Sequence, residues 1–371
     1  MKIAIPILFF SRPGGCRVLS MLASEWVAMG HRVTFLCTAH SDVPYYPTSA
    51  DILWLDDNGF SVESNLNDGL CQIGGKKFVL NNLMLLLKGI NRYVHDYDIV
   101  LANLNLTAWP VVISRTRAKK FYYVQAYEPE YYESRPEKRA IVLNYLSRFT
   151  YVLPLYRIVN SPIYLNYKWL RADYHVPPGI DFSNFYQKQK ISTSLSVRPA
   201  ILGCIGRKEI EKGTRYVFEA FEELLRQGYN VELHVAFGNL TAEQAAHPKC
   251  KIIIPQNDKE LGEYYRSLDI MIAPGLVQLG APHYPVMEAM ACGVPVVTTG
   301  YLPATNDNAW IVPVKDSPAI ASAVIDILTH TEQTKTKIAC GVESVSAYTW
   351  HNVSKQMADI FAAKAEFNKL G

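Results

Sequence analysis

The 371-residue chain has little of what marks several protein classes. Its seven cysteines (Cys16, Cys37, Cys71, Cys204, Cys250, Cys292 and Cys340) are odd in number, scattered and free of CxxC pairs. That pattern argues against a disulfide framework and a cysteine-based zinc site. Charge of one sign is not in excess, with 37 Lys and Arg against 34 Asp and Glu, too even for a chain coated for nucleic acid. No stretch reaches the ~18 uncharged apolar residues of a membrane span, because Arg148 and Arg157 interrupt the most apolar candidate, residues 141–160. The apolar run near the start ends in Arg12-Pro13-Gly14-Gly15 with no small-residue cleavage site, so it reads as a strand and its loop, not a signal peptide. A reducing cytoplasm is therefore expected, where the sequons at Asn105, Asn239 and Asn352 have no consequence.

What the chain does have is a regular alternation. KIAIPILFF is a continuous apolar run, a glycine turn follows, CRVLSMLASEWVAMG has helical apolar spacing, and residues 31–36 form the next strand. This βαβ opening implies a parallel sheet covered on both faces. Further strands are predicted at 98–101 and 120–125, after which Pro177, Pro178 and Gly179 break the pattern and SNFYQKQKISTSLSVRP reads as a linker. A second alternation then runs from AILGCIG to VPVVTTG. The expected class is α/β: two doubly wound, Rossmann-like parallel-sheet domains, with the carboxyl ends of both sheets facing a cleft. Residues 1–180 carry 19 Lys and Arg against 14 Asp and Glu, so the first domain is the basic one.

The strongest chemical signal is the segment from Gly206 to Gly213, a strand end followed by a loop with Arg207 and Lys212 five residues apart, opening a helix. Unpaired backbone N–H groups, the helix dipole and two fixed cations suit an anion such as a diphosphate; a solvated loop with surface cations is the plainer alternative. Neither GxxxxGK[ST] nor GxGxxG is present. The second signal, residues 280–297, is a Gly/Pro loop leading into a helix with one carboxylate, Glu288, and then a Gly-x-Pro turn into an apolar strand.

At these residues the chain resembles glycosyltransferase family 4 of the GT-B fold. The resemblance rests on Gly-Arg…Lys-Gly at 206–213, Pro-x-x-Glu-Ala-Met-Ala-x-Gly-x-Pro-Val at 285–296, Pro-Pro-Gly-Ile-Asp at 177–181, Asn308 to Pro313, and Tyr348-Thr349-Trp350 before a last helix. It implies an acceptor-binding domain over 1–180, joined by the helix of 350–371, and a donor-binding domain over 181–349. Arg207 and Lys212, beside Gly206, would hold the diphosphate of a nucleoside diphosphate sugar and act as the catalytic cations; Glu288 would take the ribose hydroxyls. Gly14 and Gly15 would let the first domain approach the ligand, and the backbone of Ala281 to Tyr284, with His283, would line the donor sugar.

The family usually has a second glutamate eight positions before the first, and here that position is Gly280. A rhamnosyltransferase-like branch is similar in this loop and in Val124-Gln125-Ala126-Tyr127-Glu128-Pro129, which implies a changed donor such as rhamnose or another deoxy sugar. A non-catalytic sugar-nucleotide-binding paralogue and a GT-B epimerase are the alternatives. Tyr127, Glu128, Glu130 and Tyr131 follow a first-domain strand, where this fold receives a saccharide or lipid-linked acceptor, and Glu128 is the expected carboxylate at the acceptor hydroxyl; a packed aromatic loop is the other reading. Asp96-Tyr97-Asp98 has the metal-binding form of the other major glycosyltransferase fold but precedes a strand, so chemistry without metal or cofactor is expected. Basic residues around an apolar helix (Lys76, Lys77, Lys88, Arg92) and at Arg115, Arg117, Lys119 and Lys120 suit either peripheral contact with an anionic membrane or a core helix with a solvated rim.

Overall fold

A computed structural model describes residues 1–10, 14–64, 76–133, 138–187 and 198–366. The chain divides into two units, Met1–Gly179 with Trp350–Gly371, and Ile180–Thr349.

The first unit is built on eight strands: β1 (Lys2–Pro6), β2 (Arg32–Thr38), β3 (Asp51–Leu55), β4 (Ser61–Val62), β5 (Ile99–Ala102), β6 (Lys119–Val124), β7 (Tyr156–Val159) and β8 (Tyr174–His175). They run in the order β4-β3-β2-β1-β5-β6-β7-β8, and only β4 pairs antiparallel. Every residue of β5 is buried, which is why its sequence is an unbroken apolar run and not an alternation. Helices α1 (Gly14–Ala28), α2 (Lys76–Tyr93), α3 (Asn105–Ile113), α4 (Glu130–Glu133) and α5 (Lys138–Thr150) connect the strands. Leu86 and Ile90 of α2 pack with Leu36, Val100 and Tyr122 in the core, so α2 is a core helix. Lys120 is not a free membrane cation: its Nζ donates to the carbonyls of Val112 and Ser114 at 3.0 and 2.7 Å, closing the carboxyl end of α3. The side chains of Lys76 and Lys77 lie outside the described residues.

The second unit has six strands: β9 (Ala200–Ile205), β10 (Val231–Ala236), β11 (Cys250–Ile253), β12 (Ile270–Ala273), β13 (Val296–Thr298) and β14 (Trp310–Ile311). Their order is β11-β10-β9-β12-β13-β14, every pair is parallel, and this is the 3-2-1-4-5-6 order of dinucleotide-binding sheets. The helices are α6 (Thr214–Arg226), α7 (Ala242–Ala245), α8 (Asp258–Ser267), α9 (Tyr284–Ala291), α10 (Ser317–Thr329) and α11 (Thr331–Ser346). One core lies under α6 and α10, with Val217, Phe221, Leu224 and Val324; a second lies under α8 and α9, with Tyr265, Met287 and Met290.

The last helix, α12 (Trp350–Glu366), belongs to the first unit. Phe361 is wedged between Trp26 of α1 and Phe121 of β6 at ring separations of 5.4 and 4.7 Å, and Trp26 Nε1 donates to the carbonyl of Ser354 at 2.9 Å. The segment 188–197 of the expected linker lies outside the described residues.

Candidate active site

In the second unit the strand order reverses between β9 and β12, the point in an open parallel sheet where two outgoing loops part and leave a crevice. A cavity of about 280 Å³ sits there, lined among others by Arg207, Lys212, Pro274, Gln278, His283 and Tyr284. The loop after β9 supplies the two cations and the loop after β12 runs into α9.

Glycine sets the first loop. A Cβ on Gly206 would lie 1.8 Å from the carbonyl oxygen of Gly238, and one on Gly213 would lie 2.1 Å from that of Pro274. Gly213 also has φ +73°, in the left-handed region, and caps α6. The two glycines therefore let this loop pass close to its neighbours and turn sharply into the helix. The intervening chain is fixed by Thr214 Oγ1, which accepts from the N–H of Arg207 at 3.2 Å, and by a one-turn helix at Ile210–Lys212. Asn239 Nδ2 donates to the carbonyl of Gly206 at 3.0 Å.

Polar ends of β13 pin the second loop. Thr298 Oγ1 donates to the carbonyl of Ala273 at 3.0 Å and Tyr301 Oη to that of Val277 at 2.9 Å. Ala281, buried, accepts from Leu302 N–H at 3.0 Å, while Gly280, at φ +84°, donates to the carbonyl of Gly300 at 2.9 Å. His283 then caps α9, with Pro285 in the first turn.

The electrostatics of the cavity are those of two crowded cations beside a neutral ring. Burial, and then the positive charge of Arg207, lowers the pKa of Lys212. Burial, Lys212 and Arg207 together push His283 down to about 3. Its ring stacks on Tyr301 at 4.2 Å and 17°, and its buried Nδ1 has no hydrogen-bond partner among the described residues. Because the native ring refuses a proton that the unfolded chain accepts below pH ~6.5, His283 costs stability progressively as pH falls from there toward 3. A bound anion would relieve the repulsion on Lys212, so the arrangement favours negative charge entering at the amino terminus of α9.

Glu288 lies one turn into α9, 3% exposed, and accepts from Tyr265 Oη at 3.0 Å. Sequence reading did not single out Gln278, Pro274 or Tyr301. The Pro274-Gly275 pair at the end of an apolar strand was the available signal, since a Cβ on Gly275 would meet Tyr301 Oη at 1.9 Å.

In the first unit, Gly14 and Gly15 open α1. A Cβ on Gly14 would touch nothing within 4 Å, and one on Gly15 would lie 3.4 Å from Gln125 Oε1, so nothing in the described structure forbids a side chain at Gly14.

Of the residues expected at the acceptor, Glu128 and Tyr127 need correction, because both are buried. Glu128 is 4% exposed and turned inward, accepting from the N–H of Asn105 at 2.8 Å and from Tyr122 Oη at 3.1 Å. It thus closes the amino end of α3 from outside the helix. Burial overrides these two hydrogen bonds and raises its pKa to about 7. Tyr127 is also buried, stacked on Tyr151 at 5.5 Å, and Glu130 accepts from Tyr167 Oη at 3.3 Å. Tyr127 and Glu128 thus belong to a packed aromatic cluster with Tyr122 and Tyr151. Tyr131 lies in α4, and its side chain is outside the described residues. Asp96 and Asp98 both engage Lys2, the first through its Nζ and the second by accepting from its N–H at 2.7 Å. Among the described residues no group of three His, Cys, Asp or Glu is placed to hold a metal ion, and no helix is long and apolar enough to cross a membrane.

Comparison with known proteins adds the family pattern. Residues 199–330 match the model of the Glycosyl transferases group 1 family. A D-inositol 3-phosphate glycosyltransferase of Corynebacterium jeikeium is 31% identical over 163 residues, 36% of this chain and 37% of that protein, so the chain spans little more than a third of that relative's length. Sucrose-phosphate synthase of Thermosynechococcus elongatus superposes with a TM-score of 0.74 at 16% identity, covering 98% of each chain. HepE of Anabaena, solved with UDP and glucose, superposes with a TM-score of 0.69 at 16% identity, over 98% of this chain and 100% of that one. The chain has the GT-B fold, and its second unit carries the sequence pattern of the Glycosyl transferases group 1 family.

Proposed function

We propose that this protein is a glycosyltransferase that moves a hexose from a nucleoside diphosphate sugar to a saccharide acceptor of a cell-surface polysaccharide. The observation that carries the reading is the meeting of Arg207, Lys212 and the amino end of α9 in one cavity at the switch point of the second sheet. The relatives' names, which include UDP and glucose as bound molecules, support a nucleotide-sugar donor. In this reading the two cations hold the diphosphate and stabilise the charge that grows on it as the glycosidic bond breaks. Glu288 takes the ribose, reached by exchange of its Tyr265 hydrogen bond. The acceptor hydroxyl attacks from the face the diphosphate leaves and gives its proton to the departing phosphate, so configuration is retained without a protein base; the inward-turned Glu128 supports a mechanism that needs none. Ranking nucleoside diphosphate sugars by the rise in melting temperature they cause, then assaying consumption with and without a saccharide acceptor, tests the reading. Binding without turnover would make the protein a non-catalytic sugar-nucleotide binder, and interconversion without acceptor would make it an epimerase.

The donor is proposed to be a 6-deoxy sugar such as rhamnose. An ionised carboxylate at position 280 would sit badly against a methyl group, whereas Gly280 leaves that edge apolar and His283 stays neutral. Gly280→Glu forces a side chain into the left-handed region at φ +84°, costing about 1–2 kcal/mol. The variant is expected to fold, melt a few degrees lower and lose activity on the natural donor. A clear preference of the unaltered protein for UDP-glucose over every deoxy sugar overturns the deoxy-sugar reading and leaves the transferase intact.

The chemistry is proposed to need no metal. Activity is expected to survive EDTA; abolition by the chelator with recovery on manganese would sink this mechanism.

A further inference from the structure

A second cavity, of about 510 Å³, opens between the loop after β9 and the loop after β10, beside the first turn of α6. Of the residues that line it, Arg207 alone also lines the cavity at the switch point. The two loops that wall it are tied together. Asn239 Nδ2 donates to the carbonyl of Gly206 at 3.0 Å, and Gly206 runs so close to the Gly238 carbonyl that no Cβ fits between them. The loop after β10 holds three successive residues, Phe237, Gly238 and Asn239, in the left-handed region at φ +64°, +66° and +58°. Glycine takes that region freely and asparagine tolerates it, but an aromatic residue is strained there. Backbone strain of this kind clusters at ligand sites.

Charge and surface together decide what the cavity takes. Its cations are Arg207, Lys208 and Arg215, all exposed, against one carboxylate, Glu209; Arg215 also pairs with Glu219 at 2.5 Å. A phosphate suits such a wall, because its oxygens accept several charge-assisted hydrogen bonds at once. The volume is that of a small-molecule site and leaves room for more than a bare ion. Half-buried Tyr216 and Leu240 offer an apolar face, and Gln244, whose Oε1 accepts from the N–H of Thr241 at 3.1 Å, keeps its amide group to donate to hydroxyls. A sugar ring is apolar on its face and hydroxylated at its rim, and so matches both. The bonds that fix Arg207 are made by its backbone, whose N–H and carbonyl meet Thr214 Oγ1 at 3.2 and 3.3 Å, so its guanidinium can turn to either cavity. Lys212, its pKa lowered by burial and then by Arg207, repels that guanidinium toward the second one. We infer that this cavity is a second site, for the phosphate monoester of a small sugar, and that filling it draws Arg207 out of the switch-point cavity. The ligands of the two cavities then oppose each other, each weakening the other by the same factor. The site stands on its own lining; only the antagonism rests on the reading of Arg207 as a diphosphate ligand.

The test is calorimetric titration of the whole protein with ribose 5-phosphate, glucose 6-phosphate and mannose 6-phosphate, with free mannose and inorganic phosphate beside them. UDP is then titrated with and without the sugar phosphate that binds best. At least one sugar phosphate is expected to bind more tightly than phosphate or mannose, and to raise the Kd of UDP by roughly fivefold or more. Lys208→Ala with Arg215→Ala is expected to weaken the sugar phosphate by about tenfold or more, to abolish the antagonism, and to leave the binding of UDP alone and the melting temperature unchanged. Lys212→Ala is expected to do the reverse, weakening UDP and sparing the sugar phosphate. Absent binding of all three sugar phosphates, binding indifferent to the double variant, antagonism that persists in it, or a UDP affinity indifferent to the sugar phosphate overturns the proposal. So does inorganic phosphate bound as tightly as the sugar phosphates, which would reduce the cavity to an ion site. If UDP fails to bind at all, the reading of the second unit falls, whereas the response of sugar-phosphate binding to Lys208→Ala with Arg215→Ala still decides this site.

Discussion

Arg207→Ala and Lys212→Ala are each expected to cut turnover by about 100-fold or more while the protein still folds. The folding half of the expectation comes from where the two side chains lie. Arg207 is exposed and Lys212 is held at a lowered pKa by burial and its neighbour's charge, so removing either relieves repulsion between the two cations. Each variant should therefore melt no lower than the parent, and Arg207→Ala should raise the pKa of Lys212. The catalytic half follows because charge-assisted contacts to a leaving diphosphate strengthen as its charge develops, so the loss should fall on kcat as well as KM. Near-normal kinetics in both variants would remove the diphosphate assignment.

Glu128→Ala is expected to lower stability by about 3 kcal/mol, since it leaves the Asn105 N–H and the Tyr122 hydroxyl buried without their acceptor. For a unit of this size that corresponds to a fall in melting temperature of roughly 10 °C. Glu128→Gln separates charge from shape. The native carboxyl, with its pKa raised to about 7, holds a proton between pH ~4.5 and 7 that the unfolded chain has released, so its contribution to stability is present below that window and is lost as pH rises through it. Glutamine does not titrate. The difference in melting temperature should therefore shift in favour of Glu128→Gln between pH 5 and pH 8. A constant difference would show that Glu128 is ionised throughout, and an acceptor KM that rises in Glu128→Gln with stability unchanged would return this residue to the acceptor site.

The loop after β9 was legible in the sequence because close backbone approach leaves a mark that composition cannot hide: only glycine satisfies the contacts at Gly206 and Gly213, and two cations between them are readable at once. The parallel sheets were legible for a similar reason, as β1, β5 and β12 are apolar on both faces. The environment of Glu128 was not. A carboxylate beside tyrosines after a strand reads the same whether it points to solvent or inward, and its partner Asn105 is 23 positions away. Residues 141–160 are the most apolar candidate for a membrane span, interrupted by Arg148 and Arg157, and nothing in one sequence tells which side of α5 the sheet takes; the buried side proved to be the polar one. Short edge strands such as β8 and β14, two residues each, carry too few side chains to show a period.

The placement of α12 has a consequence for the order in which the protein is made. The second unit is inserted in the first: the chain leaves at Gly179 and returns at Trp350, two residues so close that a Cβ on Gly179 would lie 2.5 Å from the Trp350 ring. During synthesis the inserted unit emerges whole, while the first unit waits for Phe361 to fill the space beside Trp26 and Phe121. The unit translated first is thus the one completed last, and until then the apolar groove that α12 will occupy is open to solvent and to other chains. Joining residue 179 directly to residue 350 with a short turn would give a single-unit protein that closes its groove without delay.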